Sequence, residues 1–183
     1  MSAPVAEQVS SGTWKIDPIH SHVGFAVKHM VVANFRGSFD RYDGGIVADQ
    51  DGRPVLRGTV DVGSIVVKDE NLAGHLASPE FFDTASYPEI TFTSTSIDVG
   101  ENGELEVEGD LTIKDHTHRV TGRGSLSGPH TDIAGNEKIG VELEAVIDRR
   151  EYGLEWNAPL PKGGFALDND VKLEIALELV KEA

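Results

Sequence analysis

The chain has 183 residues, the length of one ordinary domain, and 39% of them are hydrophobic, enough to build a core. With 31 acidic residues against 16 basic ones the formal charge is −15, which argues against nucleic acid and anionic membrane surfaces as partners. No cysteine is present, so disulfides, thiolate metal centres and a cysteine nucleophile are excluded.

Residues 1–12 are small, polar and aperiodic, and read as a flexible tail before a single domain over residues 13–183. No basic start with an apolar run follows Met1, and no window approaches a membrane span, so a cytoplasmic protein without membrane insertion is expected. From Thr13 the pattern alternates, as in half-buried strands. Trp14 and Ile16 share a face, as do Val23, Phe25, Val27 and His29, then Phe35, Gly37 and Phe39, then Leu56, Gly58, Val60 and Val62. Between Asp69 and Tyr87 alternation fails. There Leu72, His75 and Leu76 have helical spacing, and Ser78-Pro79-Glu80 has the form of a second helix start, so a helical insertion is predicted around residues 70–83.

Alternation returns at Ile90 and Phe92 and runs through Leu105–Ile113, Val120–Leu126, Ile139–Ala145 and Val171–Leu179. The stretch from Glu151 to Asp170 is irregular. Asp43-Gly44-Gly45, Asp51-Gly52, Glu101-Asn102-Gly103 and Gly135-Asn136 read as turns. About eight or nine strands with short links make an antiparallel up-and-down meander. A sheet that long hides its edges by closing into a barrel, and the 20 glycines, several inside strands, suit tight bends and an interior with space in it.

Two His-x-His pairs stand out, His20-Ser21-His22 and His116-Thr117-His118. On a strand such a pair lies on one face and can grip a metal ion, so a metal-binding barrel is the alternative reading. No acidic ligand follows the first pair, and Lys114-Asp115 suggests a turn under the second. No metal or cofactor site is therefore assigned. His29 is a polar ring on an apolar face and needs a partner, either within the core or on a ligand. No nucleophile elbow, phosphate loop or dinucleotide fingerprint occurs. Phe25, Phe35, Phe39, Phe81, Phe82, Phe92 and Trp156 concentrate in the early strands, the helical insertion and the late loop, as in a barrel mouth that accepts a long apolar ligand.

Several segments together resemble the YceI-like family of polyisoprenoid-binding proteins: Trp14-Lys15-Ile16-Asp17-Pro18-Ile19-His20-Ser21-His22-Val23-Gly24-Phe25, Phe35-Arg36-Gly37-Ser38-Phe39, Ser78-Pro79-Glu80-Phe81-Phe82-Asp83, Tyr87-Pro88-Glu89-Ile90-Thr91-Phe92, and Ile147-Asp148-Arg149-Arg150-Glu151-Tyr152-Gly153. The resemblance spans roughly residues 13–180. It implies an all-β, eight-stranded, lipocalin-like antiparallel barrel with a helical insertion. It also implies a tunnel for an isoprenoid lipid or isoprenoid quinone, a role in transport or storage and not in catalysis, and a homodimer. By position it makes His29, His75, Leu76, Phe81, Phe82, Phe92, Arg149 and Trp156 lining or mouth residues. Phe25, Val27, Phe35, Phe39 and Leu72 join them from the apolar faces read above. The loop Asp115-His116-Thr117-His118 departs from the Gly-x-Thr turn of many relatives, and the expected cytoplasmic location departs from the export of many others.

Overall fold

The computed structural model describes residues 9–51 and 53–183. Its strands are β1 (Gly12–Ile16), β2 (His22–His29), β3 (Ala33–Phe39), β4 (Tyr42–Ala48), β5 (Pro54–Asp61), β6 (Ile65–Val66), β7 (Glu89–Val99), β8 (Glu104–Ile113), β9 (His116–Thr131), β10 (Glu137–Asp148) and β11 (Leu167–Lys181). One helix, α1 (Glu70–Ala77), interrupts them. The sheet runs β1-β4-β5-β7-β8-β9-β10-β11, and β11 pairs back onto β1. That ring is the expected eight-stranded, up-and-down antiparallel barrel.

The remaining strands continue others past a break. A 3-10 turn at Pro18–His20 separates β1 from β2, Asp40 and Arg41 separate β3 from β4, and a 3-10 turn at Val62–Ser64 separates β5 from β6. The breaks adjoin. Arg41 N–H donates to Ser64 Oγ (2.9 Å) and Asp40 N–H to Ser64 O (3.1 Å). Tyr42 Oη donates to Pro18 O (3.4 Å). Together they form a crease across the wall that divides the barrel into two levels.

Below the crease the interior is solid. Trp14, Ile16, Ile46, Leu56, Leu105, Val107, Leu126, Ile139, Val141 and Leu179 pack as one buried cluster. Above the crease β2 pairs with β11 and β3, β3 with β6, and β6 ends the row. The chain crosses from β6 to β7 through α1 and its turns, which complete the wall where strand pairing stops. Asp69 caps α1, its Oδ1 accepting from Leu72 N–H (2.9 Å).

Four local expectations are corrected. Residues 1–8 of the expected tail lie outside the described residues, but Val9–Gly12 belong to the barrel. Val9 is 1% exposed in the solid cluster, Ser10 O accepts from Trp14 Nε1 (3.0 Å), and Gly12 opens β1; a stretch this short shows no periodicity to reveal it. Gly44 and Gly45 form no turn and lie within β4, because a Cβ on Gly45 would stand 1.9 Å from Trp14 O; glycine here permits close approach of strands. Ser78 starts no second helix. The residue before a proline is driven to extended backbone, Ser78 has ψ 165°, and its N–H and Oγ close α1 on His75 O (3.1 and 2.6 Å). His116 is not in a turn: it begins β9, after Lys114 at φ 58°. Of the other turn signals, Asn102 and Gly103 take positive φ between β7 and β8, and Asp132–Asn136 turn β9 into β10. Gly52 lies outside the described residues.

Candidate functional site

The upper level encloses a cavity of about 640 Å³ whose surface is almost entirely apolar. Every residue expected to meet a ligand lines it: Phe25, Val27 and His29 from β2, Phe35 and Phe39 from β3, Leu72, His75 and Leu76 from α1, Phe81 and Phe82 from the turns after it, Phe92 from β7, Arg149 from the 3-10 turn Arg149–Tyr152 after β10, and Trp156 from the irregular stretch. His29 is not a core histidine; it is exposed, at the end of β2. Sequence reasoning missed Ile90, Leu111, Ile113, Ile147, Leu154, Val171 and Leu173 as lining residues. Alternation had placed most of these on inner faces, but it carries no information on which level of the barrel a residue occupies.

Two glycines keep the space open. Phe25 faces Gly37 across the β2–β3 ladder, and a Cβ on Gly37 would lie 2.5 Å from the Phe25 ring. A Cβ on Gly109 would meet Phe92 at the same distance. Both rings therefore lie against the wall instead of across the interior. Phe25 packs on Phe35 and Phe39 (centroids 6.2 and 5.9 Å), and Phe39 on Phe82 (6.3 Å). A second aromatic group joins α1 to the late loop: His75 meets Trp156 and Phe81 edge to face (4.8 and 5.0 Å), and its Nε2 lies 2.8 Å from Glu80 Oε2.

Among the described residues, Arg149 is the charged residue of this lining that is buried. It is 4% exposed and makes no ion pair among the described residues. Its Nε donates to Asp168 O (2.8 Å), and its Nη1 to Leu154 O (2.6 Å) and Trp156 O (2.8 Å). Burial lowers its pKa from the usual arginine value, and the three carbonyls compensate the buried charge. The same contacts fix the late loop. Nη2 has no protein partner among the described residues.

Tyr152 is fully buried beneath this region, with its hydroxyl unpartnered among the described residues. Burial raises its pKa from 10.0 to about 12. The unfolded chain releases the phenolic proton first, so this group's contribution is complete below pH 10 and is lost as pH rises through the folded value. Tyr152→Phe should raise stability by about 1 kcal/mol, by removing an unsatisfied buried hydroxyl. It should also flatten the alkaline limb of a urea-unfolding series between pH 9 and 12. An unchanged alkaline limb would mean that another group governs it.

Among the described residues, neither His-x-His pair brings both its histidines into one group of possible ligand atoms. His20 Nδ1 lies 2.8 Å from Asp17 Oδ2, an interaction that lowers the Asp17 pKa and raises that of His20. His118 Nε2 lies 2.9 Å from Glu151 O, and His116 Nε2 lies 3.2 Å from Asp115. Asp17, His20 and Glu178 bring ligand atoms within 4.8 Å of one another. Lys138 Nζ, 2.6 Å from Glu178 Oε1, already pairs with one of that group's carboxylates.

Residues 14–179 match the model of the YceI-like domain. A UPF0312 protein of Staphylococcus aureus (strain USA300) is 34% identical over 165 residues, which is 88% of this chain and 94% of the relative. Among solved structures, BcnA of Burkholderia cenocepacia superposes with a TM-score of 0.74 at 21% identity, over 89% of this chain and 98% of its own. A polyisoprenoid binding domain from Saccharophagus degradans gives 0.71 at 16% identity, over 92% and 98%. Among the described residues no helix is long and apolar enough to cross a membrane.

Proposed function

The chain belongs to the YceI-like domain family, and from that premise we propose that its cavity binds an isoprenoid lipid, either a polyprenyl chain or an isoprenoid quinone, and carries or stores it without turnover. The observation that carries this reading is an almost wholly apolar cavity with, among the described residues, a single buried cation in its wall. Each CH₂ taken from water contributes about 0.8 kcal/mol, so a prenyl tail supplies affinity with no polar contact. Orientation falls to Arg149 Nη2, the donor left free for a hydroxyl, carbonyl or phosphate head group. The name of the Saccharophagus domain fits the same ligand class. Cytoplasmic residence belongs to this proposal, and cell fractionation tests it.

The deciding experiment is extraction of untagged protein with organic solvent, followed by mass spectrometry. A prenyl lipid near one per chain is the expected result. An empty extract, together with no uptake of added farnesol or solanesol, would overturn the reading.

A further inference from the structure

The formal charge of −15 is unevenly distributed. No acidic residue lies between Asp17 and Asp40, or between Glu155 and Asp168. These two acid-free segments meet at one end of the barrel. The first forms the β2–β3 hairpin. The second folds into a narrow loop in which Pro159 bridges Phe165 and Leu160 N–H donates to Gly164 O (2.9 Å). Met30 N–H donates to Ala166 O (2.8 Å), and Leu167 pairs with His29, so the two tips stand side by side. Residues at the base of both tips, among them His29, Ala33, Ala166 and Leu167, line the cavity. The tips therefore stand at its rim.

They present apolar side chains to solvent. Val31, Val32 and Phe165 are 68%, 82% and 58% exposed. The hairpin turn, closed by Val32 N–H on His29 O (3.2 Å), holds Met30 at φ 53° and Val31 at φ 67°. A β-branched residue is disfavoured there, and glycine or asparagine would relieve the backbone. Val31 is thus poor for the turn and gains no packing in return, a pattern of local strain found at functional sites. Lys28 and Lys162, one on each segment, have no ion-pair partner among the described residues.

We propose that this paired tip docks the barrel on an anionic lipid surface, with Val31, Val32 and Phe165 entering the interface and Lys28 and Lys162 meeting lipid phosphates, so that the cavity opens toward the bilayer. The choice of occupant rests on the lipid-carrier reading and on the charge complementarity of two acid-free segments, and it departs locally from the expectation, drawn from the net charge of −15, that the chain avoids anionic membranes. Docking of this kind is peripheral.

The test is flotation of the full chain with vesicles of phosphatidylglycerol and phosphatidylcholine, and with phosphatidylcholine alone. Wild type should bind the anionic vesicles, and added salt should weaken binding. Val31→Asn/Val32→Ser should lower vesicle affinity at least roughly tenfold. It should not lower the melting temperature, because asparagine suits the positive φ of position 31. Phe165→Ser provides a second variant outside the strained turn, with the same expected direction. Lys28→Glu/Lys162→Glu should reduce binding to the anionic vesicles selectively.

Uptake of solanesol by the same samples in solution separates the two readings. Uptake without vesicle binding would overturn docking and leave the carrier reading intact. Vesicle binding without uptake would count against the carrier while supporting the surface. Wild type and valine variant binding equally would overturn docking through this tip. So would sedimentation of a lipid-free dimer that the valine variant dissociates, because the tip would then be covered by a second copy.

Discussion

Replacing Gly122 by phenylalanine should empty the cavity of its ligand while leaving the barrel standing. Gly122 lies in β9, is buried and lines the cavity. The atoms nearest a Cβ there would be Leu143 Cβ and Cδ2 and Glu144 O, at 3.5, 3.6 and 3.7 Å, all ordinary contacts. The first carbon therefore fits, and the ring must extend into the space a prenyl tail would use. At about 0.8 kcal/mol per displaced CH₂, the loss should be at least about a hundredfold in affinity. Gly122→Ala adds only the carbon that fits and should retain binding. The measurement is prenyl content after extraction, with circular dichroism to confirm the fold. Full lipid content in a folded Gly122→Phe protein would place the ligand elsewhere.

Arg149→Met should produce the largest loss of stability, about 3–5 kcal/mol. Methionine keeps the length of the side chain but leaves the carbonyls of Leu154, Trp156 and Asp168 without their donors. Each buried unsatisfied group costs about 1–3 kcal/mol, and the total falls below the sum where water reaches a loosened loop. Urea unfolding measures it. Amide exchange should accelerate between residues 154 and 168, while the solid cluster around Trp14 exchanges as before. Arg149→Lys should recover only part of the loss, since one ammonium cannot reproduce the fork that serves three acceptors. A midpoint equal to wild type would mean that the carbonyls find other donors.

The strands were legible because a wall with water on one side and apolar side chains on the other forces a period of two. The inner residues of β8, from Leu105 to Ile113, are buried at every second position as their pattern predicts. Helix α1 was legible for the complementary reason, Leu72, His75 and Leu76 recurring on a helical face. What alternation cannot encode is height along the barrel. Leu105 and Ile113 read alike, yet Leu105 packs in the solid cluster and Ile113 borders the cavity beside Tyr152. Residues outside any strand period were found by other signals, Phe81 and Trp156 by the clustering of aromatics and by the family resemblance, Arg149 by the resemblance alone. Paired glycines misled because the same residue serves a turn and a close approach; Gly44-Gly45 is the second case and Asn102-Gly103 the first. The tip at Met30–Val32 was hidden for a related reason. An apolar run beside a strand reads as more strand, and its exposure follows only from the tertiary placement of the turn.

The crease has a consequence for how such a protein can diversify. Below it, residues such as Trp14, Ile139 and Leu179 close the ring around a floor that touches no cargo-sized space. Above it, the wall is assembled from β2, β3, α1, the late loop and the upper parts of β7 to β11 around a hollow. Substitutions that widen, narrow or re-polarise the hollow thus fall mostly above the crease, away from the floor cluster around Trp14, Ile139 and Leu179. Natural selection can retune the vessel for a longer tail, a different head group or another small apolar molecule and draw on the floor as a standing reserve of stability. Lineages built on this plan should accumulate changes fastest above the crease, and deep mutational scanning of this chain should show the same division, with tolerance changing at residues 18–20, 40–41 and 62–64.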